Sequence, residues 1–403
     1  MTPTRRLELD DPALTEFTAA VVRCDPGENG RHRVVLDRSA FYPTSGGQPH
    51  DAGTLGRARV VDVALDGATV VHVVEGGPLE GSVEGRVDAA RRRDHRQQHT
   101  GQHVLSATFL SECGAATASF HLGAEHSTID VESARSVDEA GIERAEAAAN
   151  AVVERDLLVD VTHVPRESLE HAGLRKVNVP EGVDVVRIVS IGDVDRSHCG
   201  GTHCHRTAEI RLVKVIGTEK SKAGLTRVAF VCGDRALRDY AARFDALDKA
   251  ARAATTAWSD LPAIVAAKIA ALKDAEKTAQ RFAAEAAAAI AEGAPVGGAP
   301  VVRRFESAPA AFCRALAADL AKRGARAALI GSASSEAGKI AATLAFPPGG
   351  PASRDAGEVV RAFVAGHGGR GGGRGPIAQV DGLTPALFDA LAAAALTPPA
   401  PPT

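Results

Sequence analysis

Two pairs of potential metal ligands, set far apart along the chain, constrain this fold more than any other feature. His99 and His103 stand four residues apart in Arg91 to Cys113, a stretch that reads as a helix. At about 3.6 residues per turn both imidazoles fall on one face, close enough to share a cation. The chain holds 14 histidines, so one such pair alone is weak evidence. Cys199-Gly200-Gly201-Thr202-His203 supplies the second pair. Its two glycines carry no side chains, which lets a thiolate and an imidazole turn back on a single ion. Brought together, the pairs make a Cys-His₃ donor set suited to one tetrahedral Zn²⁺ per chain. The competing reading is a buried thiol beside a glycine turn.

Several neighbours compete as ligands. His95 shares the helical face of His99 and His103, His198 precedes Cys199, and Cys204 and His205 follow His203. Adjacent residues generally point apart, so these are expected to be partners of the ligands rather than ligands. No Glu follows His99, which argues against the HExxH metalloprotease class.

At 403 residues the chain is long enough for two to three domains. A net charge of −3 excludes a uniformly basic nucleic-acid binder, although local patches decide attraction. Arg91-Arg92-Arg93 is one patch, Lys220, Lys222 and Arg227 form a second, and Arg370 and Arg374 a third. Each reads first as a solvated face. Met1 to Asp10 lacks the apolar core of a secretory signal, and Leu391 to Leu396 is far too short to span a bilayer. Six dispersed cysteines do not make a disulfide scaffold, so the chain is expected in the cytoplasm.

The pattern predicts an α+β multidomain protein. Residues 1–88 show short strand-like runs, such as Val70-Val71-His72-Val73-Val74, punctuated by Gly and Pro, and predict a small β-barrel domain, or failing that a β-sandwich. Among the runs lies a compact loop, Phe41-Tyr42-Pro43-Thr44-Ser45-Gly46-Gly47-Gln48-Pro49. Residues 89–235 alternate between helix and strand, with Asp138 to Glu154 helical and Ser119 to Val131, Val183 to Ile191, Ala208 to Val215 and Thr226 to Cys232 extended. Residues 236–292 read as helix with one break at Ser259-Asp260-Leu261-Pro262. Ile269, Leu272, Ala279, Ala283, Ala286 and Ile290 fall near heptad positions there, as in a helical hairpin or coiled coil. Residues 298–396 form a last, small α/β domain with a glycine-rich loop at 366–375, and the Pro-rich tail beyond is expected to be disordered.

His99-Thr100-Gly101-Gln102-His103 together with Ser197-His198-Cys199-Gly200-Gly201-Thr202-His203 resembles the editing domain of alanyl-tRNA synthetases and their free-standing AlaX relatives. The likeness extends to Arg206-Thr207-Ala208-Glu209-Ile210, to Ser119-Phe120-His121-Leu122-Gly123 with Ser127-Thr128-Ile129-Asp130, and to the Thr44-to-Gln48 loop. Further on, Arg323 to Ser332 and the glycine loop ending Ile377-Ala378-Gln379 resemble the DHH-associated domain that closes those synthetases. The whole chain is thus similar to a long-form AlaX protein, the editing half without the aminoacylation half. Two departures stand out: Arg374-Gly375-Pro376-Ile377 replaces the usual Arg-Pro-Asp, and the glutamine that synthetases carry near Ser119-Phe120 is missing.

The resemblance implies a hydrolase that removes serine, or glycine, from mischarged tRNA(Ala). Zn²⁺ would be held by His99, His103, Cys199 and His203. Thr44, Ser45, Gly46, Gly47, Gln48 and Thr202 would line the substrate pocket, with His121 and Thr44 as candidate catalytic groups. Arg370 and Arg374 would meet tRNA phosphates. Homodimerisation through residues 236–292 is a further implication. The alternative of a different class is a tRNA-binding module whose zinc is structural, since four protein ligands close a tetrahedral site.

Overall fold

The computed structural model describes residues 3–132, 137–175, 179, 182–220, 224–294, 297–349 and 354–396, the side chains of residues 170 and 171 excepted. It divides into two compact units, residues 1–249 and 250–403. Lys222 of the second basic patch and the Pro-rich tail from residue 397 lie outside the described residues. Among the described residues no helix is long and apolar enough to cross a membrane.

After a short strand (Arg5–Arg6) and one helical turn (Leu7–Asp10), the first unit holds the β-branched runs that the sequence marks as strands: β1 (Glu16–Pro26), β2 (His32–Leu36), β3 (Gly53–Leu55), β4 (Ala58–Asp66), β5 (Thr69–Glu75) and β6 (Ser82–Val87). They pair antiparallel in the order β1-β2-β5-β4-β3-β6, and β6 returns to β1, so the sheet closes into a ring. Alternation places Val83 and Val87 inside, where they meet Val34, Leu36, Leu55, Val60, Val63, Val70 and Val74. A closed ring leaves no strand edge exposed.

Asp88 then starts helix α1 (Ala89–Cys113), its Oδ1 accepting the amide N–H groups of Ala90 and Arg91 at 3.0 Å each. The helix is polar in sequence, yet nearly all of Arg92 to Phe109 is buried. Burial is tolerable because most of these polar side chains find a partner. Arg96 donates to His203 O at 2.7 Å, Gln97 to Glu209 O at 2.9 Å and Gln98 to Cys232 O at 2.9 Å. Arg92, 1% exposed, donates to Pro12 O, Leu14 O, Ala40 O and the carboxylate of Asp51, its Nε lying 3.1 Å from Asp51 Oδ2. That ion pair fastens the ring of strands to the histidine helix.

After α1 come β7 (Ala116–Leu122), β8 (Ser127–Glu132), α2 (Glu139–Glu154), β9 (Val159–Pro165), β10 (Val185–Ile191), β11 (Asp195–His198), β12 (Val213–Lys220), β13 (Thr226–Cys232) and α3 (Gly233–Ala253). They build one antiparallel sheet in the order β12-β13-β8-β7 and a second in the order β9-β10-β11. Val104, Leu105, Phe109, Ile129, Ala149, Val189, Ile210 and Phe230 share one core between the sheets and the helices. Ser119 to Val131, expected as one extended region, is two strands joined by a turn. Ala208 to Val215, also expected as strand, starts instead as a 3₁₀ turn over Thr207–Ile210, and the strand begins at Val213. Glu209 causes this: its Oε1 accepts the amide N–H groups of His205 and Arg206 at 2.8 and 3.1 Å, curling the chain back.

The second unit contains α4 (Leu261–Glu292), β14 (Val301–Phe305), α5 (Ala310–Lys322), β15 (Ala328–Ala333), β16 (Ile340–Ala345), α6 (Ala356–His367), β17 (Arg370–Arg374), β18 (Ile377–Leu383) and α7 (Pro385–Leu396). Its sheet runs β14-β15-β16-β18-β17, parallel at β14/β15 and antiparallel elsewhere. Ala283, Ala287 and Ala291 of α4 are buried in a core with Phe312, Leu316 and Leu320 of α5, whereas Ile269, Leu272 and Ile290 are exposed. The segment expected as a glycine-rich loop is in part an edge strand, β17. Its side-chain-free backbone lets α6 lie directly on it: a Cβ on Gly357 would come within 2.0 Å of Gly373 O.

Removing Asp51 leaves a buried guanidinium without its counter-ion. Asp51→Ala is expected to cost about 3–5 kcal/mol in urea unfolding, partly recovered when Arg92→Met is added. A loss for the single variant below about 1 kcal/mol, the scale of an exposed pair, would contradict this account.

Candidate metal centre

Helix α1 contributes His99 and His103, one turn apart on its buried face, and the loop after β11 contributes Cys199 and His203. One ligand atom from each lies within 4.8 Å of the other three. Cys199 Sγ stands 3.3 Å from His99 Nε2 and 3.3 Å from His203 Nε2. The loop is shaped by its surroundings. Arg187 on β10 donates through Nη1 to Cys199 O at 2.6 Å and to Gly201 O at 3.2 Å. At Gly201 any Cβ would sit 2.1 Å from His99 Cε1, so only glycine fits against that ring.

Every imidazole has its outer nitrogen, Nδ1, beside a polar group, leaving Nε2 for the centre. His99 Nδ1 donates to Gln48 Oε1 at 2.8 Å, and Gln48 Nε2 donates to Thr202 Oγ1 at 2.9 Å. His103 Nδ1 donates to Asp195 Oδ2 at 2.7 Å. His203 Nδ1 lies 3.4 Å from Thr100 Oγ1, which accepts the Cys204 amide at 2.9 Å. Outer partners of this kind fix the tautomer and aim of metal-binding histidines. Asp195 is braced in turn by Arg175 Nε at 2.6 Å and by Ser197 Oγ at 3.0 Å.

Electrostatics distinguish the two neighbouring cysteines. Burial opposes ionisation of Cys199, but the imidazoles of His99, His203 and His103 outweigh it and hold the thiol well below its ordinary range. Burial alone dominates at Cys204, pushing that thiol up to about 12. His203 is held down to about 3, chiefly by burial. His103 goes the other way: burial would lower it, yet Asp195 and Cys199 raise it to about 9. Asp195 itself is held at about 2, because His103 and Arg175 outweigh the cost of burying it. A thiolate and three inward-facing imidazole nitrogens are the donor chemistry that suits Zn²⁺, so the residues fit such an ion. His95, His198, Cys204 and His205 lie outside this set.

A cleft of about 620 Å³ opens over His99, His103 and Cys199, lined among others by Tyr42, Ser45, Gly46, Phe120, Arg175 and Ser197, while His203 is buried and not part of its lining. The Thr44-to-Gln48 loop forms one wall. It is clipped to β7, where Leu122 N donates to Gly47 O at 2.9 Å. A Cβ at Gly47, whose φ is +86°, would stand 2.6 Å from Phe120 O.

Several expected site residues sit elsewhere. Thr44 is not among the residues lining the cleft; its Oγ1 accepts the His50 amide at 3.0 Å and shapes the turn. His121 is exposed and outside the cleft, because alternation on β7 sends it to the opposite face from Phe120. Gln48 and Thr202 are buried behind the ligands rather than open to a substrate. Arg370 and Arg374 are exposed on β17 in the second unit. Of the triplet Arg91-Arg92-Arg93, Arg92 is internal, so this patch offers two cations rather than three. Asp195, Arg175 and Arg187 escaped the sequence reading. A single local cue existed for Asp195, an acid four residues before Cys199 on a short strand.

Residues 186–229 match the family model described as the threonyl and alanyl tRNA synthetase second additional domain. The chain is 35% identical over 253 residues to the alanyl-tRNA editing protein AlaX-L of Pyrococcus horikoshii, covering 58% of this chain and 61% of that protein. It is 33% identical over 241 residues to the alanyl-tRNA editing protein Aarsd1 of Danio rerio, covering 57% and 58% respectively. A third match, the alanine–tRNA ligase of Halorubrum lacusprofundi, is 33% identical over 408 residues, covering 97% of this chain and 43% of the ligase. The chain therefore spans less than two thirds of the length of each of these relatives.

The outer partners should tune the ion's hold. Asp195→Asn and Gln48→Ala are each expected to weaken Zn²⁺ binding about 10- to 100-fold in a chelator competition. Affinities equal to that of the unaltered protein would show that neither side chain aims its histidine.

Proposed function

We propose that this chain, which is similar to the alanyl-tRNA editing proteins, hydrolyses the ester joining serine to the terminal ribose of tRNA(Ala), with glycine as a second substrate. The observation that carries this reading is the convergence of His99, His103, Cys199 and His203, three of which, His99, His103 and Cys199, line an open cleft. The chemical need is general. A synthetic site built for alanine discriminates one methyl or one hydroxyl by only about 1–3 kcal/mol, so a separate hydrolytic site has to supply the rest.

In this reading His99, His103, Cys199 and His203 hold one Zn²⁺. Bound there, the ion would supply Lewis-acid polarisation of the ester and acidify water. Gln48 and Asp195 keep His99 and His103 aimed inward, and Arg187 holds the carbonyl groups of the Cys199–Gly201 loop in place. Water oxygen adds to the ester carbonyl carbon and the bond to the ribose oxygen breaks, which releases free serine and a tRNA with its hydroxyl restored. Ser45 and Gly46 stand in the cleft wall, and Ser45 is the group offered to a seryl hydroxyl. Thr44 is occupied with the His50 amide, which favours its neighbour in that role.

Exposure of Arg370 and Arg374 on β17 supports tRNA phosphate contact there. Exposed Leu237, Tyr240 and Phe244, together with Val265, Ile269 and Leu272, support homodimerisation through residues 236–292. A tRNA substrate is in keeping with a reaction in the cytoplasm. The second reading, a tRNA-binding module with structural zinc, is favoured by one observation: four protein donors fill a tetrahedral set.

Serine release from Ser-tRNA(Ala) separates the two. Hydrolysis of Ser-tRNA(Ala) that spares Ala-tRNA(Ala), with a His103→Ala variant that keeps its fold and loses at least about 100-fold in rate, is the expected outcome. Tight tRNA binding without hydrolysis would overturn the enzyme reading in favour of the binding module.

A further inference from the structure

We infer that a second cleft in the first unit, between the opening turns of α1 and α3, is a binding site for the backbone phosphates of a single-stranded RNA 3′ end. It holds about 460 Å³ and is lined by Arg91, Arg93, His95, Arg235, Arg238 and Pro49, among others. The phosphate chemistry stands on the cleft itself, whereas the assignment of those phosphates to the 3′ end of a tRNA rests on the function proposed above.

Charge is the first argument. Four guanidinium groups face this cleft against two carboxylates, Asp94 and Asp234, leaving an excess of two positive charges. Both carboxylates are already engaged. Asp94 takes Arg235 Nε and Nη2 at 2.8 and 2.6 Å, and Asp234 pairs with Arg211. Arg91 spends Nε and Nη2 on His50 O. Arg93, which is exposed, has no ion pair or hydrogen bond among the described residues, and Arg238 reaches Asp94 only at 3.9 Å. The cleft thus has two loosely committed guanidinium groups, Arg93 and Arg238, beside the buried Arg235, which is 6% exposed and already donates to Asp94 and, through Nη1, to Gly123 O at 2.8 Å. Planar guanidinium groups in this setting suit phosphate oxygens.

A second, independent feature points to a ligand. His95 is 2% exposed and lines the cleft, yet its Nδ1 has no hydrogen-bond partner. Buried polar atoms without a partner are rare and call for one. Burial, then Arg91 and Arg235, hold this imidazole down to about 3, so it is neutral and has one N–H to donate.

His95 precedes His99 by one turn on the same face of α1, an axial rise of about 6 Å. The two clefts also share their borders. Gly46 lines the metal cleft and Pro49, in the same loop, lines this one; Phe120 lines the first and Gly123, just past the end of β7, lines the second. A chain whose terminal ribose reaches the metal centre would lay its next phosphates along Arg93 and Arg238.

The test uses the full, metal-loaded protein and a fluorescent RNA ending in an unpaired CCA with no amino acid attached. Anisotropy titrations across a salt series would compare it with Arg93→Gln/Arg238→Gln and with His95→Phe, each checked for an unchanged melting temperature. Losing two phosphate contacts should weaken binding about tenfold or more near 0.1 M salt, and should reduce the salt slope by about 1.4, at roughly 0.7 per phosphate on a single strand. Equal affinity and slope in the arginine variant would overturn the site, as would inorganic phosphate displacing the RNA at the affinity of a free anion. Hydrolysis is not read in this experiment. A protein that binds RNA through Arg93 and Arg238 but fails to release serine keeps this site and loses the proposed activity, and the converse result does the reverse.

Discussion

The placement of the candidate metal centre depends on a guanidinium, that of Arg92, buried in the protein interior. Arg92 enters the protein interior from the first turns of α1 and is shared among Asp51 and the carbonyl groups of Pro12, Leu14 and Ala40. All its acceptors belong to the strand-rich N-terminal segment, so this one side chain ties that segment to the helix bearing His99 and His103. Asp51 also accepts the Tyr42 amide at 2.7 Å, at the start of the glycine loop. The same acid therefore anchors the helix on one side and the loop over the cleft on the other. A charge held this way gives little net stability, but it admits one arrangement only, since any other leaves it unpaired.

From that anchor the centre follows by short steps. Gln48, seven residues on from Phe41, reaches His99, and Gly47 is clipped to the strand that carries Phe120. On the far side β11 delivers Asp195 to His103 and ends at the Cys199 loop, which Arg187 fixes from the neighbouring strand. Three imidazoles and a thiolate in one buried place repel or attract one another strongly without an ion. Raised His103 and lowered Cys199 are two signs of that balance. A divalent cation satisfies all four donors together, which is why metal binding and folding of this region should be coupled.

Much of this was legible in the sequence because it is written locally. Spacing of four on a helix and a Cys-Gly-Gly-Thr-His turn are patterns within one element, and the structure brings those four residues together. Alternating valines likewise announced the strands before residue 88. What escaped notice depends on partners distant in the chain. Arg92 reads as part of a solvated triplet until Asp51 is known to lie against it. Arg175 and Asp195 are unremarkable acids and bases until β11 sets them behind His103. Glu209 overrode a strand-like pattern by curling its own backbone, and glycines that suggest a flexible loop form an edge strand because α6 needs room to lie on them. His121 and Thr44 are suggested by the resemblance, which carries neither the alternation nor the hydrogen bond that turns each away from the cleft.

The central claim is that these four side chains jointly hold one Zn²⁺, and X-ray absorption at the zinc edge reads it most directly. The account predicts one zinc per chain, with nitrogen scatterers at about 2.0–2.1 Å and a single sulfur at about 2.3 Å that disappears in Cys199→Ser. A shell of light atoms without sulfur, or a sulfur signal that survives loss of Cys199, would contradict it.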